Sequence, residues 1–258
     1  MSIIFISFLL FISTYLLNIL YITVFYHRGI THNAVRLTPG TLKFVVLSGS
    51  WITGIDPKAW ACMHRMHHQY SDGMEDPHSP WNSNIFGVAT AQLHAYKRIL
   101  VALHKKEEPF VSVVKDLHFN TSWTNRHRVW WMPYLLHLAI AVVIGSVLHS
   151  FLPAIAYWLG IMSHPLQGWL VNALAHRYGY QNYDNEDRSM NNTLVAWLVF
   201  GEGFQNNHHK FPASAKFSKK WFEVDMGYGL CKMVEAFGWI EPIQLPEIPL
   251  HHAVGAKS

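Results

Sequence analysis

The chain is poor in cysteine and in charged residues. It has two cysteines in 258 residues, and Asp, Glu, Lys and Arg together make up 14% of it. Cys62 and Cys231 form no CxxC pair, which excludes a disulfide framework, a cysteine-type zinc knuckle and an iron–sulfur cluster built within the chain. Soluble globular domains carry about 25% charged residues. The low charge therefore argues against an ordinary cytosolic enzyme.

Nucleotide-binding motifs are also missing, whereas histidine is abundant. Gly-Glu-Gly at 201–203 is not followed by the glycine spacing of a nucleotide-binding loop, and no strand pattern precedes it. We find no phosphate loop and no Ser-His-Asp set, and we expect no nucleic-acid partner. The chain has 18 histidines. Because histidine is the commonest metal ligand, the first functional hypothesis is a metal site built from imidazoles.

Long uncharged runs predict a membrane protein. Residues 1–26 contain no Asp, Glu, Lys, Arg or His, and a helix of that length measures roughly 39 Å, enough to cross a bilayer once. A secretory signal is the alternative, but the run has no basic n-region and no small-residue cleavage site follows it. Residues 129–175 contain no Asp, Glu, Lys or Arg and fit a two-span hairpin. Residues 44–55 are too short to cross and are predicted to be partly embedded, as a re-entrant or interfacial helix.

The distribution of basic residues predicts the topology. All 20 Lys and Arg lie within residues 27–128 or 176–258, so the positive-inside rule predicts that both regions are cytoplasmic. We expect one domain, residues 1–258, of the all-α class. It is predicted to be an integral membrane bundle of three full spans plus the partly embedded helix, with a helical cytoplasmic cap. Residues 85–128 are expected to form amphipathic helices on the membrane surface, or a solvated helical pair.

Two segments share the spacing i, i+3, i+4. His64, His67 and His68 have this spacing, which places three rings on one helical face where their nitrogens can converge. The second segment repeats the spacing with an amide in place of one imidazole, in the residues Gln205, His208 and His209.

Two further segments lie next to the predicted spans. His27 and His32 lie about 140° apart on an ideal helix, so both reach one metal only if the helix ends or distorts, which Gly29 permits. Asn172 and His176 share a helical face where the last span meets the cytoplasm. An asparagine at such a position is otherwise explained by hydrogen bonds between helices.

Together the four segments carry eight histidines to one membrane face. That number exceeds the four-coordinate shell of one zinc ion and favours two metals. Imidazole suits zinc, copper, iron and nickel, so the ligand type leaves the metal open. The position of the site, at the mouth of a membrane bundle without other catalytic motifs, favours iron, because oxidative chemistry on a lipid needs a redox metal.

These segments resemble the histidine boxes of the membrane fatty acid desaturases, most closely the acyl-CoA, stearoyl-type delta-9 group. The resemblance extends from the first span to about Trp221 and is carried by HRGITH, HRMHH with QYSDGMEDPHSP, VNALAHRYGY and GEGFQNNHHKFP. It implies a di-iron centre that uses dioxygen and two electrons to insert a cis double bond into a fatty acyl chain. It also implies two ligand sets: one iron held by His27, His32, His64, His68 and His209, and the other by His67, His176 and His208, with Asn172 reaching it through a water.

Two features depart from the family pattern. Gln205 stands where the stearoyl-type pattern has a histidine. Front-end desaturases also have glutamine there, but their fused haem domain is missing here, and Gln205 is a candidate weak ligand through its neutral oxygen. The family usually has four spans, so this chain has either three full crossings or an incomplete start.

The resemblance also implies partners. The substrate is expected to be a fatty acyl chain linked to CoA, a carrier protein or a phospholipid, next to membrane lipid. Electrons are expected from a separate donor such as a ferredoxin or a small cytochrome with its reductase. One basic stretch is predicted to contact anionic lipid headgroups, or else to dock an acidic donor or the phosphates of an acyl carrier. It comprises Lys210, Lys216, Lys219 and Lys220.

Three acidic residues flank the boxes. Asp72, Asp76 and Glu202 are candidates to fix the orientation of the imidazoles. The first two are equally well explained as turn residues. The other histidines are not expected to bind metal. Packing or turn roles are predicted for His137, His149 and His164, and surface positions for His78, His94, His104, His118, His127, His251 and His252.

Two other functions stay open at this point. A histidine-box hydroxylase or ketolase acting on alkanes, sterols or carotenoids shares the same di-iron chemistry, and only the flanking residues favour desaturation. A membrane metal carrier or metal-binding receptor is a rival from another class. It predicts ligands along a transmembrane path, whereas the histidines here collect at one face.

Overall fold

The computed structural model describes residues 1–246, and this part of the chain is helical. Its β-structure is limited to three isolated bridges, which confirms the all-α class. The α-helices are α1 Ile3–Ile19, α2 Pro39–Thr53, α3 Pro57–Tyr70, α4 Gly87–Lys105, α5 Phe110–Val113, α6 Trp123–Arg126, α7 Met132–Val147, α8 Phe151–Ile161, α9 His164–Trp169, α10 Thr193–Leu198, α11 Gln205–Lys210 and α12 Met226–Ala236. Two π-helical segments continue α1 and α9, namely Leu20–Thr31 and Leu170–Leu174. The predicted surface residues His251 and His252 lie outside the described residues.

One helix in the described part of the chain is long and apolar enough to cross a membrane. α1 and the first π segment together form Ile3–Thr31, a helix of 29 residues with a mean hydropathy of 2.4 in its most apolar window. At about 1.5 Å per residue it measures roughly 40 Å. It continues past Tyr26, where the predicted span ends, because the next side chains, His27 and Arg28, are buried rather than solvated.

The predicted hairpin, residues 129–175, is present, but its helices are shorter than two full spans. α7 has 16 residues and α8 has 11, against about 20 for a typical crossing. Ser150 starts α8 by accepting a hydrogen bond from the Leu152 N–H. After Ile161 the chain continues as α9 and the second π segment rather than as one long helix.

The packing of α1 against α8 explains this break. Pro165 has no N–H, so it cannot donate to the Ile161 carbonyl as a helical residue would. Asn18 Nδ2 donates to that carbonyl instead, at 2.8 Å. A Cβ at Gly160 would collide with Thr14, so glycine allows the two helices to approach closely. Small residues and amide hydrogen bonds of this kind hold apolar helices together within a bilayer.

The segment predicted to be partly embedded, residues 44–55, lies in α2 for most of its length. The helix begins earlier, at Pro39, because proline suits the first turn, and it ends at Gly54, whose φ is +74°. Its 15 residues span about 22 Å. Phe44 and Leu47 are 56% and 65% exposed, which suits a helix at the membrane interface.

α3 and α4 form one wall of the site. Asp56 caps α3 by accepting hydrogen bonds from the Lys58 and Ala59 N–H groups, each at 2.9 Å. α4 is the only long helix in residues 85–128, and it buries Ile99 in the core that it shares with α3 while its opposite face is exposed. The amphipathic helix predicted for this region is therefore present, and α5, α6 and turns make up the rest.

Candidate metal centre

The first π segment brings His27 and His32 to the same side of the chain. Hydrogen bonds in a π-helix join residues five apart, and the His32 N–H donates to the His27 carbonyl at 3.1 Å. The two ring centroids are 5.0 Å apart. The distortion that this spacing requires is therefore present, and it extends over the whole segment rather than occurring at Gly29 alone.

The three histidines of α3 divide between two directions. The Nε2 atoms of His64 and His68 are 3.1 Å apart. His67 instead approaches His176, with ring centroids 4.8 Å apart. Successive residues on an α-helix are rotated by about 100°, so adjacent histidines cannot point the same way. α3 therefore contributes to two groups of rings, and the sets implied by the family resemblance divide its three histidines in the same way.

The two histidines of α11 separate for the same reason. His208 Nε2 lies 3.0 Å from His27 Nε2 and 2.9 Å from His68 Nε2. His209 turns away, and its ring centroid lies 4.8 Å from that of His176 and 5.1 Å from that of His67. The ligand sets implied by the family resemblance place His209 with the first group and His208 with the second, whereas the rings group the other way round in the structure.

Two clusters of imidazoles result, and within each the possible ligand atoms lie within 4.8 Å of one another. The first cluster consists of His27, His32, His64, His68 and His208, and the second of His67, His176 and His209. All eight predicted histidines belong to one cluster or the other.

Both clusters fit metal ions. With a metal–imidazole bond of about 2.1 Å, ligand atoms at right angles lie about 3.0 Å apart, and the closest Nε2 pairs of the first cluster lie at 2.9 to 3.1 Å. Ring nitrogens this close need a shared proton or a shared cation. His32 Nε2 and His67 Nε2 are buried and have no hydrogen-bond partner among the described residues. A cation at each cluster would satisfy both.

Four of the eight histidines are oriented by a carboxylate at Nδ1. The pairs are His27 with Glu202 at 2.5 Å, His67 with Asp76 at 2.9 Å, His176 with Asp72 at 3.3 Å and His209 with Asp187 at 2.5 Å. Donation of the Nδ1 proton to a carboxylate leaves Nε2 as a lone-pair donor directed at the cluster, as in metal sites. The contacts predicted for Asp72, Asp76 and Glu202 are therefore present.

Asp187 is a site residue that the sequence does not predict. The residue lies in a loop with other acidic side chains, and Asp184 and Glu186 beside it are exposed, so composition does not distinguish it. A local signal does exist. The Ser189 N–H donates to Asp187 Oδ1 at 3.0 Å, and an Asp followed by Ser two residues later is typical of such a turn.

Replacing Asp187 should weaken metal binding at the second cluster. In Asp187→Asn the charge that orients His209 is lost, and changes of this kind cost roughly 10- to 100-fold in metal affinity. Competition with a chromophoric chelator, using Fe²⁺ or Zn²⁺ as the probe, measures the change. Asp184→Asn is the matched control, because that side chain is exposed. Equal affinities in both variants would contradict the assigned role.

Burial favours the neutral form of five of the cluster imidazoles. Burial lowers the pKa of His32, His64, His68 and His208 well below 6.5, and neighbouring histidines add to the effect. Burial also lowers the pKa of His209, to about 4, although Asp187 opposes the change. Neutral imidazole is the form that binds metal, so the protein presents these five ligands in the required state. Although burial opposes the change, contact with Asp72 raises the pKa of His176.

Gln205 faces the second cluster, whereas Asn172 lies beside it. Gln205 Oε1 is 3.1 Å from His209 Nε2 and 3.4 Å from His176 Nε2, and its Nε2 donates to the Glu202 carbonyl at 2.6 Å. The amide oxygen is therefore held where it can approach the same point as the imidazoles. Asn172 Nδ2 donates to Gln92 Oε1 at 3.3 Å.

His78 is buried, so its predicted surface position is wrong. It is 2% exposed, and its ring centroid lies 4.5 Å from that of His67. Asp76 causes this placement, because one carboxylate oxygen accepts from His67 Nδ1 and the other from the His78 N–H. Burial and the nearby His67 lower the pKa of His78 to about 3. His67, Asp76 and His78 form a third group with possible ligand atoms within 4.8 Å.

The other non-ligand predictions within the described residues agree with the structure. His137 is a packing residue, with Nδ1 2.6 Å from the Tyr157 hydroxyl and Nε2 2.8 Å from the Trp51 carbonyl. His149 lies in the turn between α7 and α8, and His164 starts α9. His94, His104, His118 and His127 are exposed, as predicted.

A cavity of about 840 Å³ runs past the first cluster. Most of its wall is apolar, and the apolar lining includes Ile22, Met63, Leu93, Leu100, Val171 and Val199. Site residues also line it, namely His27, His64, His78, Asn172, Glu202 and Gln205. A basic group contributes as well, formed by Lys97, His104, Lys105 and Arg128. The cavity suits a long apolar molecule that carries an anionic group at one end.

The comparisons with known proteins agree with one another. The family model described as fatty acid desaturase matches residues 4–224. The chain is 30% identical over 254 residues to the hex-5-enoyl-(acyl-carrier protein) acetylenase of Moorena producens (strain JHB), covering 92% of this chain and 76% of that protein. It is 32% identical over 253 residues to the chloroplastic palmitoyl-monogalactosyldiacylglycerol delta-7 desaturase of Arabidopsis thaliana, covering 93% and 62%. It is 30% identical over 246 residues to the sn-1 stearoyl-lipid 9-desaturase of Anabaena variabilis, covering 88% and 79%.

Proposed function

The chain belongs to the fatty acid desaturase family and is an oxidoreductase that desaturates fatty acyl chains, and on this basis we propose that its two histidine clusters each hold an iron ion. The observation that carries the proposal is the convergence of eight buried or half-buried imidazoles into two clusters. Carboxylates orient half of these rings. A hydroxylase or ketolase reaction is not favoured, because the related proteins are desaturases and an acetylenase.

The proposed ligand sets follow the clusters. The first iron is held by His27, His32, His64, His68 and His208. The second is held by His67, His176 and His209, and by Gln205 through its Oε1. Asn172 reaches the second iron through a water. For Gln205 the support is the pair of short distances from Oε1 to the ring nitrogens. For Asn172 it is a position on the cavity wall close to His176 in the chain.

Bound iron would supply the oxidising power: dioxygen takes up two hydrogens from adjacent carbons, two electrons and two protons, and leaves a double bond and two waters. The protein orients the imidazoles, holds the acyl chain beside them and excludes water from the reacting carbons. The apolar cavity wall provides that exclusion. Asp72, Asp76, Asp187 and Glu202 keep the Nε2 lone pairs directed at the clusters.

The basic group of the cavity lining is the proposed place for the polar end of the substrate. Lys97, Lys105 and Arg128 are exposed, and all three line the cavity. They suit the phosphate groups of CoA, of a carrier protein or of a phospholipid. The names of the related proteins specify a carrier protein in one case and lipids in two others.

The proposed membrane arrangement has the active site on the cytoplasmic face, with the helix Ile3–Thr31 and the α7–α8–α9 hairpin in the bilayer and α2 at its interface. The charge distribution supports this orientation. The basic stretch from Lys210 to Lys220 is proposed to contact headgroups. Trp221 supports this contact, because it is 95% exposed and tryptophan is enriched at membrane interfaces.

Expression in a host that lacks a matching desaturase tests the function directly. We expect new unsaturated fatty acids in the host lipids, identified by mass spectrometry. The same host expressing His67→Ala should make none, at equal protein level in the membrane fraction. Purified protein should turn over only when a separate electron donor and its reductase are added. Equal product from the wild type and from His67→Ala would contradict the proposal.

A further inference from the structure

We infer that Arg28 is a positioning residue that fixes two ligands of the first cluster, His27 and His208, by two separate contacts. The inference rests on the proposed metal sites. It adds a residue that contacts the partners of the ligands and is not itself a ligand. Arg28 follows His27 in the π segment, and its side chain is fully buried. A guanidinium stays charged inside a protein, so its burial has to be compensated by nearby partners.

The first contact reaches His27 through Glu202. Arg28 Nη1 donates to Glu202 Oε1 at 2.5 Å, and His27 Nδ1 donates to Glu202 Oε2 at 2.5 Å. Of the two carboxylate oxygens of Glu202, one therefore accepts from Arg28 and the other from His27. Thr23 also donates to Oε1. Glu202 cannot rotate without breaking one of these bonds, so the guanidinium fixes the direction in which His27 presents Nε2.

The second contact reaches His208 through Phe217. The guanidinium carbon of Arg28 lies 3.7 Å from the centre of the Phe217 ring, a cation–π arrangement. The Phe217 ring also packs against the imidazole of His208, with centroids 4.4 Å apart. His208 Nδ1 is buried and has no hydrogen-bond partner among the described residues. On the Nδ1 side, packing against Phe217 therefore helps to orient this ring.

A shaped cradle holds the guanidinium in place. Asp225 Oδ1 accepts from Arg28 Nη2 at 3.1 Å, and Asp225 Oδ2 accepts from the Phe217 N–H at 2.6 Å. Arg28 Nε donates to the Ala215 carbonyl at 2.9 Å. A Cβ at Gly227 would collide with the Phe200 carbonyl oxygen and would lie 3.0 Å from both terminal nitrogens of Arg28, so a glycine is needed there. Segments near Ala215 and Asp225 thus both contact this one side chain.

The other three carboxylates at the clusters are held differently, by backbone N–H groups. Asp76 accepts from the Asp72 N–H at 2.8 Å and from the His78 N–H at 3.0 Å. Asp72 accepts from the Arg188 N–H at 2.9 Å, and Asp187 from the Ser189 N–H at 3.0 Å. Only Glu202 depends on a charged side chain. The first cluster therefore has a support that the second does not share.

Two other arginines provide an internal comparison, because His-Arg occurs three times at the clusters. Arg65 pairs with Asp116, which touches no cluster histidine. Arg177 donates to the Pro80 carbonyl and stacks over Trp81. Arg28 alone among the three bonds to a carboxylate that holds a cluster histidine. An arginine after a cluster histidine therefore does not by itself make such a bond. Arg177→Gln is a matched control, because it removes an arginine at the equivalent position without removing this contact.

The test measures metal content in purified protein reconstituted with Fe²⁺. Arg28→Gln should weaken iron binding at the first cluster by roughly 10-fold or more, as loss of an outer partner does, and leave the second cluster filled. Glu202→Gln should produce the same selective loss, and the double variant should add little, because both act on one bond network. Arg28→Lys should retain only part of the wild-type iron binding at the first cluster, since one ammonium cannot replace the forked guanidinium. Arg177→Gln should bind iron like the wild type.

Several outcomes would overturn the inference. Loss of both irons in proportion to a lower melting temperature would mean a merely structural role. Full iron binding by Arg28→Gln with an unchanged Mössbauer spectrum would mean no role. If Arg28→Gln does not fold, Asp225→Asn removes one anchor of the guanidinium, and normal iron binding with an unchanged spectrum in that variant would count against the inference. A wild type that binds no metal would instead refute the proposed function.

Discussion

Replacing His208 by alanine should remove one iron and abolish unsaturated product, and replacing His209 should remove the other iron with the same loss of product. His208 Nε2 lies about 3 Å from two rings of the first cluster, whereas His209 approaches His67 and His176. Each variant should therefore keep roughly half of the wild-type iron. Elemental analysis and gas chromatography of the host fatty acids measure both effects.

The spectra of the variants test the division between the clusters. The residual Mössbauer spectrum of His208→Ala should match that of His64→Ala, and that of His209→Ala should match His67→Ala. His94→Ala is the control, because His94 is exposed on α4 and belongs to neither cluster. If His208→Ala instead resembled His67→Ala, the family-derived assignment would be right and the geometry described above would be wrong.

Acidification should release the metals and destabilise the metal-free protein as the pH falls from about 6.5 toward 4. An exposed histidine in the unfolded chain binds a proton near pH 6.5. In the folded protein burial lowers the pKa of His209 to about 4 and that of His78 to about 3. Within this window the unfolded chain binds more protons, so stability falls as the pH falls. Each such histidine contributes about 1.4 kcal/mol per pH unit.

Thermal unfolding of the metal-free protein in detergent, from about pH 7 to about pH 5, measures this slope. The carboxylates act at lower pH. Although burial opposes the change, contact with His67 and with His209 lowers the pKa of Asp76 and Asp187 respectively. Their stabilising contribution is present above about pH 3.9 and is lost only as the pH falls below it. A melting temperature that does not change between pH 7 and pH 5 would contradict the burial of neutral histidines.

The sequence predicts which residues come together at the histidine clusters, because their spacing along the chain and the residues that flank them are typical of such a site. The triplet His64, His67 and His68 lies on one helix, and any helix brings its side chains to one region. Residues 1–26 lack charge, so they can only be a span or a buried helix. Asp76 and Glu202 lie next to the histidine motifs in the chain, which is why their contacts could be predicted.

The sequence does not predict how the rings are shared between the clusters, because that depends on rotation about helix axes. His208 and His209 are neighbours on α11, and which of them faces the first π segment depends on how the helix is rotated about its axis. His78 is buried because Asp76 bonds to its backbone, a contact between two nearby residues that composition does not indicate. The role of Arg28 depends on Phe217 and Asp225, far away in sequence.

The lengths of the membrane helices also depend on tertiary contacts. Residues 129–175 lack Asp, Glu, Lys and Arg throughout, so the sequence offers no charged boundary within them. The break after Ile161 needs both Pro165 and a partner for the freed carbonyl, and Asn18 on another helix supplies that partner. The first π segment is likewise stabilised by the site it serves, since ten of its twelve residues are buried.

The iron content of the purified wild-type protein, reconstituted with Fe²⁺ under anaerobic conditions, shows whether both histidine clusters bind iron. The proposed sites predict two irons per chain, and Mössbauer spectroscopy should resolve two nitrogen-rich environments, one with five histidine ligands and one with three. Removing the iron with a chelator should abolish turnover, and adding it back should restore it. Binding of a single iron per chain, or full desaturase activity in iron-free protein, would contradict the account.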